Sequence, residues 1–251
     1  MVSMIENLIK AVSEEDRSRK VVRAALGLGY TAVEVDGKGI GLSANISASG
    51  HSSCTVFKKA GSLKGARAGE VLELGFEADL VSRSIGLAAL NAINNTGTQG
   101  YEGNIFDKIQ IREGDRVAMV GFIAPVARML QDRGCQVDVF ELRDVEARCI
   151  RPAEEMQQTL TQAEIVILTA TTLINGSLGG IISQPFAARE VILMGPSTPV
   201  APAQFSKTAI TFLAGCRVVD EEKTFRIVIE GGGTEVLYSQ GAMKKIIQEV
   251  R

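Results

Sequence analysis

The hydrophobic positions follow different patterns in the two parts of the chain. Between residues 20 and 48, β-branched residues alternate with small or polar ones, and Asp36 and Gly37 form a pair typical of tight hairpin turns. Such alternation is the pattern of a strand with one buried face. The segment predicts two or three antiparallel strands, near 20–27, 30–35 and 38–44.

Two helices are predicted after these strands, near residues 68–73 and over residues 77–95. In the second helix, apolar residues cover one broad face, at Leu80, Ile85, Leu87, Ala88 and Leu90. A short meander of strands followed by helices is an α+β arrangement. We therefore expect a small α+β domain over residues 1–107.

From residue 115 onward, continuous apolar runs replace the alternating ones. Four runs have the length of buried strands, at 115–122, 136–142, 164–171 and 190–196. Segments that suit helices lie between and after them, at 124–133, 153–162, 177–188 and 202–213. Apolar strands that alternate with helices are typical of a parallel sheet covered on both faces. Residues 108–251 are therefore predicted to form a doubly wound, Rossmann-like α/β domain.

Three further elements are predicted at the C-terminal end of this domain. A fifth strand is expected at 216–220, and a closing helix over 242–250. Between them, residues 225–239 are predicted to form a hairpin that turns at Gly231–Gly233, because glycines separate two strand-like segments.

Composition and charge exclude several classes of function. The net charge of the 251-residue chain is −2 and its pI is near 5.7, so it lacks the basic field of a nucleic-acid-binding protein. No apolar run approaches the ~18 residues of a membrane span. Glu6 interrupts the apolar N-terminal segment, which makes it a poor signal peptide. We expect a soluble, cytoplasmic protein without nucleic-acid partners or membrane insertion, and homo-oligomer formation is left open.

Histidine and cysteine are too scattered to predict a metal site. His51 is the only histidine, and Cys54 follows three residues later. Two adjacent donors cannot close a metal site without a second pair. The other cysteines, Cys135, Cys149 and Cys216, form no CxxC pair. We therefore interpret the His51 segment as a polar loop, and the sequence offers no clear catalytic nucleophile.

In an open parallel sheet, ligands bind beyond the carboxyl ends of the strands, so the strand exits are the candidate site. Gly121, which precedes Phe122, matches the first glycine of a dinucleotide-binding turn, but Ile123 and Val126 occupy the later glycine positions. A dinucleotide in the usual pose is therefore not expected. Glu141 lies 20 residues after Gly121, where nucleotide-binding folds place an acid on ribose hydroxyls. The alternative is a solvated acid paired with Arg143.

The two remaining strand exits are rich in small polar residues. Thr169, Thr171, Thr172 and Asn175 could cap the next helix or face a ligand. Three of the six prolines fall within residues 196–202. These prolines could hold Ser197 and Thr198 rigidly for a ligand, or could simply end a strand and start a helix. In the first domain, small residues on the helix over 77–95 favour close packing against the second domain. A polar cluster at Ser84, Asn91 and Asn94–Asn95 could partly face a cleft between the domains.

Several segments together resemble one family of prokaryotic proteins. They are "GIGLSANIS", "SRSIGLAALNAINN", "VAMVGFIAPVARML", "AEIVILTATTLINGSL", and "VILMGPSTPVAPAQF" followed by "FRIV". The family is that of the "putative heavy-metal chelatases", in which an enolase N-terminal-like domain precedes a Rossmann-like domain. The resemblance spans nearly the whole chain, and it implies a site between the two domains.

The resemblance implies a role in metal chelation, or in handling a metal complex or a pterin-like ligand. Candidate ligand-binding residues come from both domains: Asn45, Ser84, Asn91, Gly121, Phe122, Glu141, Thr169, Thr171, Thr172, Asn175, Gly195, Pro196, Ser197 and Thr198. With one histidine, any metal is expected to arrive within a ligand. The alternatives are a non-catalytic carrier and a binder of a ribose-bearing ligand such as S-adenosylmethionine. The sequence identifies no cofactor and leaves catalysis open.

Overall fold

The computed structural model describes residues 3–46, 57–97, 100–142 and 147–250. Two short helices come first, α1 (Met4–Lys10) and α2 (Glu14–Ser18). Serine side chains cap both helices. Ser3 Oγ accepts from the Glu6 N–H, and Ser13 Oγ accepts from the Asp16 N–H.

An antiparallel sheet of three strands follows: β1 (Val21–Leu26), β2 (Tyr30–Val35) and β3 (Gly39–Ala44). Helices α3 (Ala68–Leu72) and α4 (Leu80–Asn94) come next. The predicted positions of these strands and helices are confirmed, and only the ends of the elements differ. Asp79 caps α4 by accepting from the Ser82 N–H, so the helix begins at Leu80 rather than at residue 77.

The second sheet has seven strands: β4 (Tyr101–Glu102), β5 (Arg116–Val120), β6 (Gln136–Phe140), β7 (Ile165–Thr169), β8 (Glu190–Met194), β9 (Phe212–Val218) and β10 (Met243–Glu249). Their order is β4-β10-β9-β8-β7-β5-β6. The five strands from β6 to β9 are parallel, and β10 and β4 add an antiparallel edge.

The remaining helices are α5 (Ala124–Asp132), α6 (Met156–Gln162), α7 (Thr171–Ile174), α8 (Leu178–Ile182), α9 (Pro202–Phe205), α10 (Glu221–Ile229) and α11 (Thr234–Ser239). Alternate residues of the parallel strands pack into two separate cores. Val166 and Leu168 share a core with α4 and α6, whereas Ile165 and Ile167 share one with α5. The expected doubly wound α/β fold is therefore confirmed.

Three predictions for this domain need correction in extent, and one helix was not predicted. Helices were expected over 177–188 and 202–213, but α8 ends at Ile182 and α9 at Phe205. A separate short helix, α7, begins two residues after β7. The fifth strand, expected at 216–220, is β9 over Phe212–Val218, because β9 pairs with β8 from Phe212 onward.

The predicted hairpin over 225–239 is wrong, because this segment forms α10 and α11. Asp220 caps α10 by accepting from the Lys223 N–H. The buried face of α10 comprises Thr224, Phe225, Ile227 and Val228, which follow helical spacing. The glycines at 231–233 end one helix and lead into the next.

The predicted closing helix over 242–250 is also wrong, because this segment is β10. It pairs antiparallel with β9 through seven consecutive residues, from Met243 to Glu249. Two lysines, Lys244 and Lys245, are exposed, whereas Ile246 and Ile247 are buried. Pairing with an existing edge strand therefore determines the structure here.

The three-stranded sheet lies between α4 on one face and α10 and α11 on the other. Val33 and Val35 pack toward α4, and Ala32 and Leu42 pack toward α10 and α11. Tyr30 Oη also lies 2.6 Å from Thr234 Oγ1 of α11. The division into domains at residues 107 and 108 stays a prediction, although α10 and α11 of the second predicted domain pack on the small sheet of the first.

Candidate functional site

Glu141 forms hydrogen bonds that connect the carboxyl ends of β5 and β6. Its Oε2 accepts from the Phe122 N–H at 2.9 Å, and its Oε1 accepts from the Leu142 N–H at 2.8 Å. The carboxylate thus orients the loop after β5, and ribose hydroxyls would have to share its oxygens with these backbone donors. The ribose role of Glu141 stays a prediction, and Arg143, its predicted partner, lies outside the described residues.

The turn after β5 packs closely on Thr169 at the end of β7. Gly121 has a φ of +87°, and a Cβ at this position would lie 2.1 Å from Thr169 Cγ2. Thr169 therefore packs directly on Gly121 and leaves no space for a side chain at this position.

Gly121→Ala is expected to lower the free energy of unfolding by about 2–4 kcal/mol. Positive φ strains an alanine by about 1 kcal/mol, and the forced contact with Thr169 adds about 1–3 kcal/mol of overpacking. Gly195→Ala is the matched control, because Gly195 has a φ of +121° but open space around it. Urea denaturation measures both variants. Equal losses would show that Thr169 does not crowd this turn.

The hydroxyls after β7 mostly serve the local turn. Thr172 Oγ1 donates to Thr169 O at 2.7 Å, and Asn175 Oδ1 accepts from both the N–H and the Oγ of Ser177. Thr171 Oγ1 donates to Thr169 Oγ1 at 3.2 Å, and both threonines are half-buried. Of this group, Thr172 is buried, whereas Thr169, Thr171 and Asn175 are half-buried.

The proline-rich segment after β8 contacts the small sheet directly. Gly195 begins it with a positive φ, its N–H donates to Ala214 O, and Thr198 N–H closes a turn on Gly195 O. Ser197 Oγ then accepts from the Ala44 N–H at 2.8 Å. Pro196 is half-buried, and its carbonyl accepts from the Cys216 thiol. The segment therefore joins the two sheets.

Three predicted ligand-binding residues hydrogen-bond the outer edge of β3. Besides Ser197, Ser84 Oγ donates to Ala44 O at 2.9 Å and Asn91 Nδ2 donates to Leu42 O at 2.8 Å. Ser84, Asn91 and Ser197 are almost fully buried. These side chains cover a strand edge that would otherwise expose unpaired backbone groups, and their roles toward a ligand stay predictions.

A large cavity lies beside the end of β3, and we call it the N-terminal cavity. Its volume is about 930 Å³, within the usual range for small-molecule sites. Its lining comes from β1, the β1–β2 turn, the start of α4, residues 57–64 and Ile229. Asn45 and Ser84 are the two predicted site residues among its lining.

The N-terminal cavity combines apolar walls with few charges. Leu63, Leu80 and Val81 are among its apolar residues, and Lys64 and Arg23 are its two cations. Arg23 is neutralised by Glu34 and Glu222. Asn45 is held in place, because its Oδ1 accepts from Thr31 Oγ1 and its Nδ2 donates to Gly27 O.

Metal donors do not gather within the described part of the chain. No group of three or more His, Cys, Asp or Glu side chains that could hold an ion occurs there. Burial raises the pKa of Cys216 to about 12, so its thiol stays protonated and is a poor metal ligand. His51 and Cys54 lie outside the described residues.

Sequence reasoning missed one wall of the cavity and one buried amide. Residues 57–64 carry no motif, yet Phe57, Ala60, Leu63 and Lys64 line the cavity. Asn95, considered only as part of a polar cluster, holds the segment after β8 through three hydrogen bonds. Its position at the end of α4 was visible in the sequence, but its partners were not.

Family models match most of the chain. A model described as "Putative heavy-metal chelation" (DUF364) matches residues 104–247, and a second model with the same description (DUF4213) matches residues 6–94. The first match covers more than half of the chain. The chain therefore belongs to this family, as its sequence motifs predicted.

Similar proteins come from archaea and bacteria. An uncharacterized protein of Methanocaldococcus jannaschii is 26% identical over 260 residues, which cover 98% of this chain and 96% of that protein. A crystal structure of a DUF364-family protein of unknown function from Pyrococcus horikoshii has a TM-score of 0.82 at 23% identity, covering 98% of this chain and all of that one. Another, from Desulfitobacterium hafniense, has a TM-score of 0.81 at 21% identity and covers 98% and 97%. These likenesses support the fold. Separately, no helix of the described residues has the length and apolar character to cross a membrane.

Proposed function

We propose that this chain binds a small organic ligand, or a metal ion already held by such a ligand, in the N-terminal cavity. The observation that carries the proposal is the cavity itself, which has a ligand-sized volume and a largely apolar lining with a few fixed polar groups. The family description, heavy-metal chelation, supports a metal-containing ligand.

The cavity is coupled to the mouth of the parallel sheet through Ala44. Ser84, which lines the cavity, holds the carbonyl of Ala44, and Ser197, from the segment after β8, holds its N–H. Asn45 follows directly and faces the cavity. A ligand against Asn45 would thus touch a wall whose position depends on both sheets, which supports a site shared between them.

A metal is more consistent with delivery inside a complex than with chelation by the described side chains. Direct chelation of a heavy metal needs several convergent soft or nitrogen donors. The described residues supply none in a cluster, and the Cys216 thiol is protonated. A complex would instead need shape, apolar contact and a few hydrogen bonds, and Lys64 could pair with an anionic group of the complex.

Native mass spectrometry with elemental analysis of the purified protein tests this proposal. The expected result is a bound organic mass at one per chain, and any metal present in the same stoichiometry and lost together with that mass. Stoichiometric metal on a chain without an organic ligand would overturn the proposal. It would instead indicate direct chelation by side chains of the protein.

Ala60→Trp is expected to reduce ligand occupancy at least tenfold, because the indole ring would fill part of the cavity. Ala60 is exposed and lines the cavity, so the added ring does not enter the hydrophobic core. Ala203→Trp is the matched control, since Ala203 is equally exposed on α9 and is not among the residues of the cavity wall. The bound fraction is read from native mass spectra of both variants. Equal occupancy in both would place the ligand elsewhere.

Once the ligand is known, an experiment can distinguish an enzyme from a non-catalytic carrier. A carrier would release the ligand unchanged, and an enzyme would convert it with turnover that Ala60→Trp reduces. Incubating the protein with an excess of its extracted ligand and analysing the mixture by mass spectrometry distinguishes the two outcomes.

A further inference from the structure

No described residue covers the outer edge of β1 over its second half. Residues 23, 25 and 27 direct their backbone groups toward β2, as the register of the hairpin and the Gly27 N–H to Tyr30 O bond show. The N–H and C=O groups of Ala24 and Leu26 therefore point outward. No described residue forms a backbone hydrogen bond with these outward groups.

Parts of other strand edges are covered, although the outer side of the two-residue strand β4 is also exposed. Side chains of Ser84, Asn91 and Ser197 cover β3, and residues 149 and 151 hydrogen-bond the backbone of Val139 at the edge of β6. Even the start of β1 is covered, because Val21 bonds with residues 65 and 66. An uncovered strand edge is a template for pairing with another strand, so the open part of β1 can pair with a strand of another chain.

Exposed apolar side chains surround this open edge. Leu28 is 86% exposed and Ile229 is 69% exposed, and Val22 and Leu26 are also exposed. A depression lies on each side of the strand. The N-terminal cavity lies on one side, and a smaller one of about 440 Å³, lined in part by Ala25 and Phe225, lies on the other. Apolar exposure concentrated at one edge marks an interaction surface.

We propose that a second copy of this chain occupies the edge, with the two β1 strands antiparallel about a two-fold axis at Ala25. In this register Ala24 of each copy faces Leu26 of the other, and each such pair exchanges both of its outward hydrogen bonds. The small side chain of Ala25 lies at the axis. The two three-stranded sheets then become one continuous sheet, and the apolar side chains around the edge are buried.

Charges beside the edge favour a second copy as the occupant. The smaller depression is lined on α10 by Glu222, Arg226 and Glu230. This stripe of charged residues therefore carries both negative and positive charges. A two-fold axis makes the two α10 helices antiparallel, which brings Arg226 of one copy toward an acidic residue of the other. A stripe of one sign would repel its own copy. Closed two-fold dimers are also the commonest form of homo-oligomer.

Sedimentation velocity over a range of micromolar concentrations tests the proposal. The wild-type chain is expected to form a dimer, and Ala24→Pro is expected to weaken the dimer at least tenfold. Proline removes the outward N–H of residue 24, and it is tolerated on an edge strand because no bond to β2 is lost. Circular dichroism checks that the variant folds.

Ile229→Lys keeps the test valid if Ala24→Pro does not fold. A lysine here would have to be buried in the interface, so it should also weaken the dimer at least tenfold. Val236→Lys is the control, because Val236 is a partly exposed apolar residue on α11 that lines neither depression. A monomer at every concentration, a dimer unaffected by Ala24→Pro or Ile229→Lys, or a monomer that binds an extended peptide at this edge would each overturn the proposal.

Discussion

Gly41→Ala is expected to destabilise the protein by about 3 kcal/mol or more. Gly41 lies in β3 directly beneath α4, and a Cβ at this position would lie 2.0 Å from Ala88 O and 2.1 Å from Ala92 N. Both atoms belong to the helix backbone, so no side chain can rotate away. The variant can fold only if α4 moves off the sheet, which would also disturb the bonds of Ser84 and Asn91 to β3.

The control for this variant is Gly180→Ala. Gly180 lies in α8 with no heavy atom near the position of an added Cβ. Alanine favours a helix by about 1 kcal/mol over glycine, so this variant is expected to be neutral or more stable. Urea denaturation gives both free energies of unfolding. A loss below about 1 kcal/mol for Gly41→Ala would mean that α4 does not pack this closely on β3.

Periodicity in the sequence was sufficient to predict the strands of the small sheet and of the parallel sheet. Residues 30–35 and 39–44 form strands as predicted, but most of their side chains are buried, because the small sheet packs on α4 with one face and on α10 and α11 with the other; the single buried face that their alternation indicates is wrong. The parallel strands are apolar throughout because both of their faces are covered. In these elements local pattern and tertiary packing favour the same structure, so the fold class could be predicted.

The C-terminal elements show where local pattern fails. Residues 225–229 are rich in β-branched residues and are followed by glycines, which is typical of a hairpin. They form a helix instead, because its apolar face fills the space beneath the small sheet. Residues 243–249 form a strand because β9 offers a free edge along its full length. In both cases the deciding partner is distant in the sequence.

The candidate site could be predicted only in part for the same reason. Strand ends located the polar residues of the parallel sheet, but Ser197 bonds Ala44, which lies 153 positions away. Nothing local distinguishes a serine that faces a ligand from one that completes a strand edge. The cavity wall at residues 57–64 could not be predicted from the sequence either, because these residues contribute to the shape of the cavity and carry no chemical motif.

Asn95→Ala is expected to destabilise the protein by about 3 kcal/mol or more. The Asn95 amide donates to Thr198 O and Cys216 O, and its oxygen accepts from the Val200 N–H at 2.8 Å. All of these bonds are buried, so truncation leaves several backbone groups unpaired, each costing about 1–3 kcal/mol. The free energy of unfolding from urea denaturation is the measurement.

The neighbouring residue provides a matched control for Asn95→Ala. Asn94 is half-buried, and its Nδ2 donates only to Leu90 O of the same helix. Asn94→Ala is therefore expected to change stability by less than about 0.5 kcal/mol. Asn95→Asp should be as damaging as Asn95→Ala at neutral pH, because a buried carboxylate would face two carbonyl oxygens. If Asn95→Ala were as mild as Asn94→Ala, the segment after β8 would not depend on α4 for its position. Ser197 could then move relative to Ala44, and the proposed coupling between the cavity and the parallel sheet would fail.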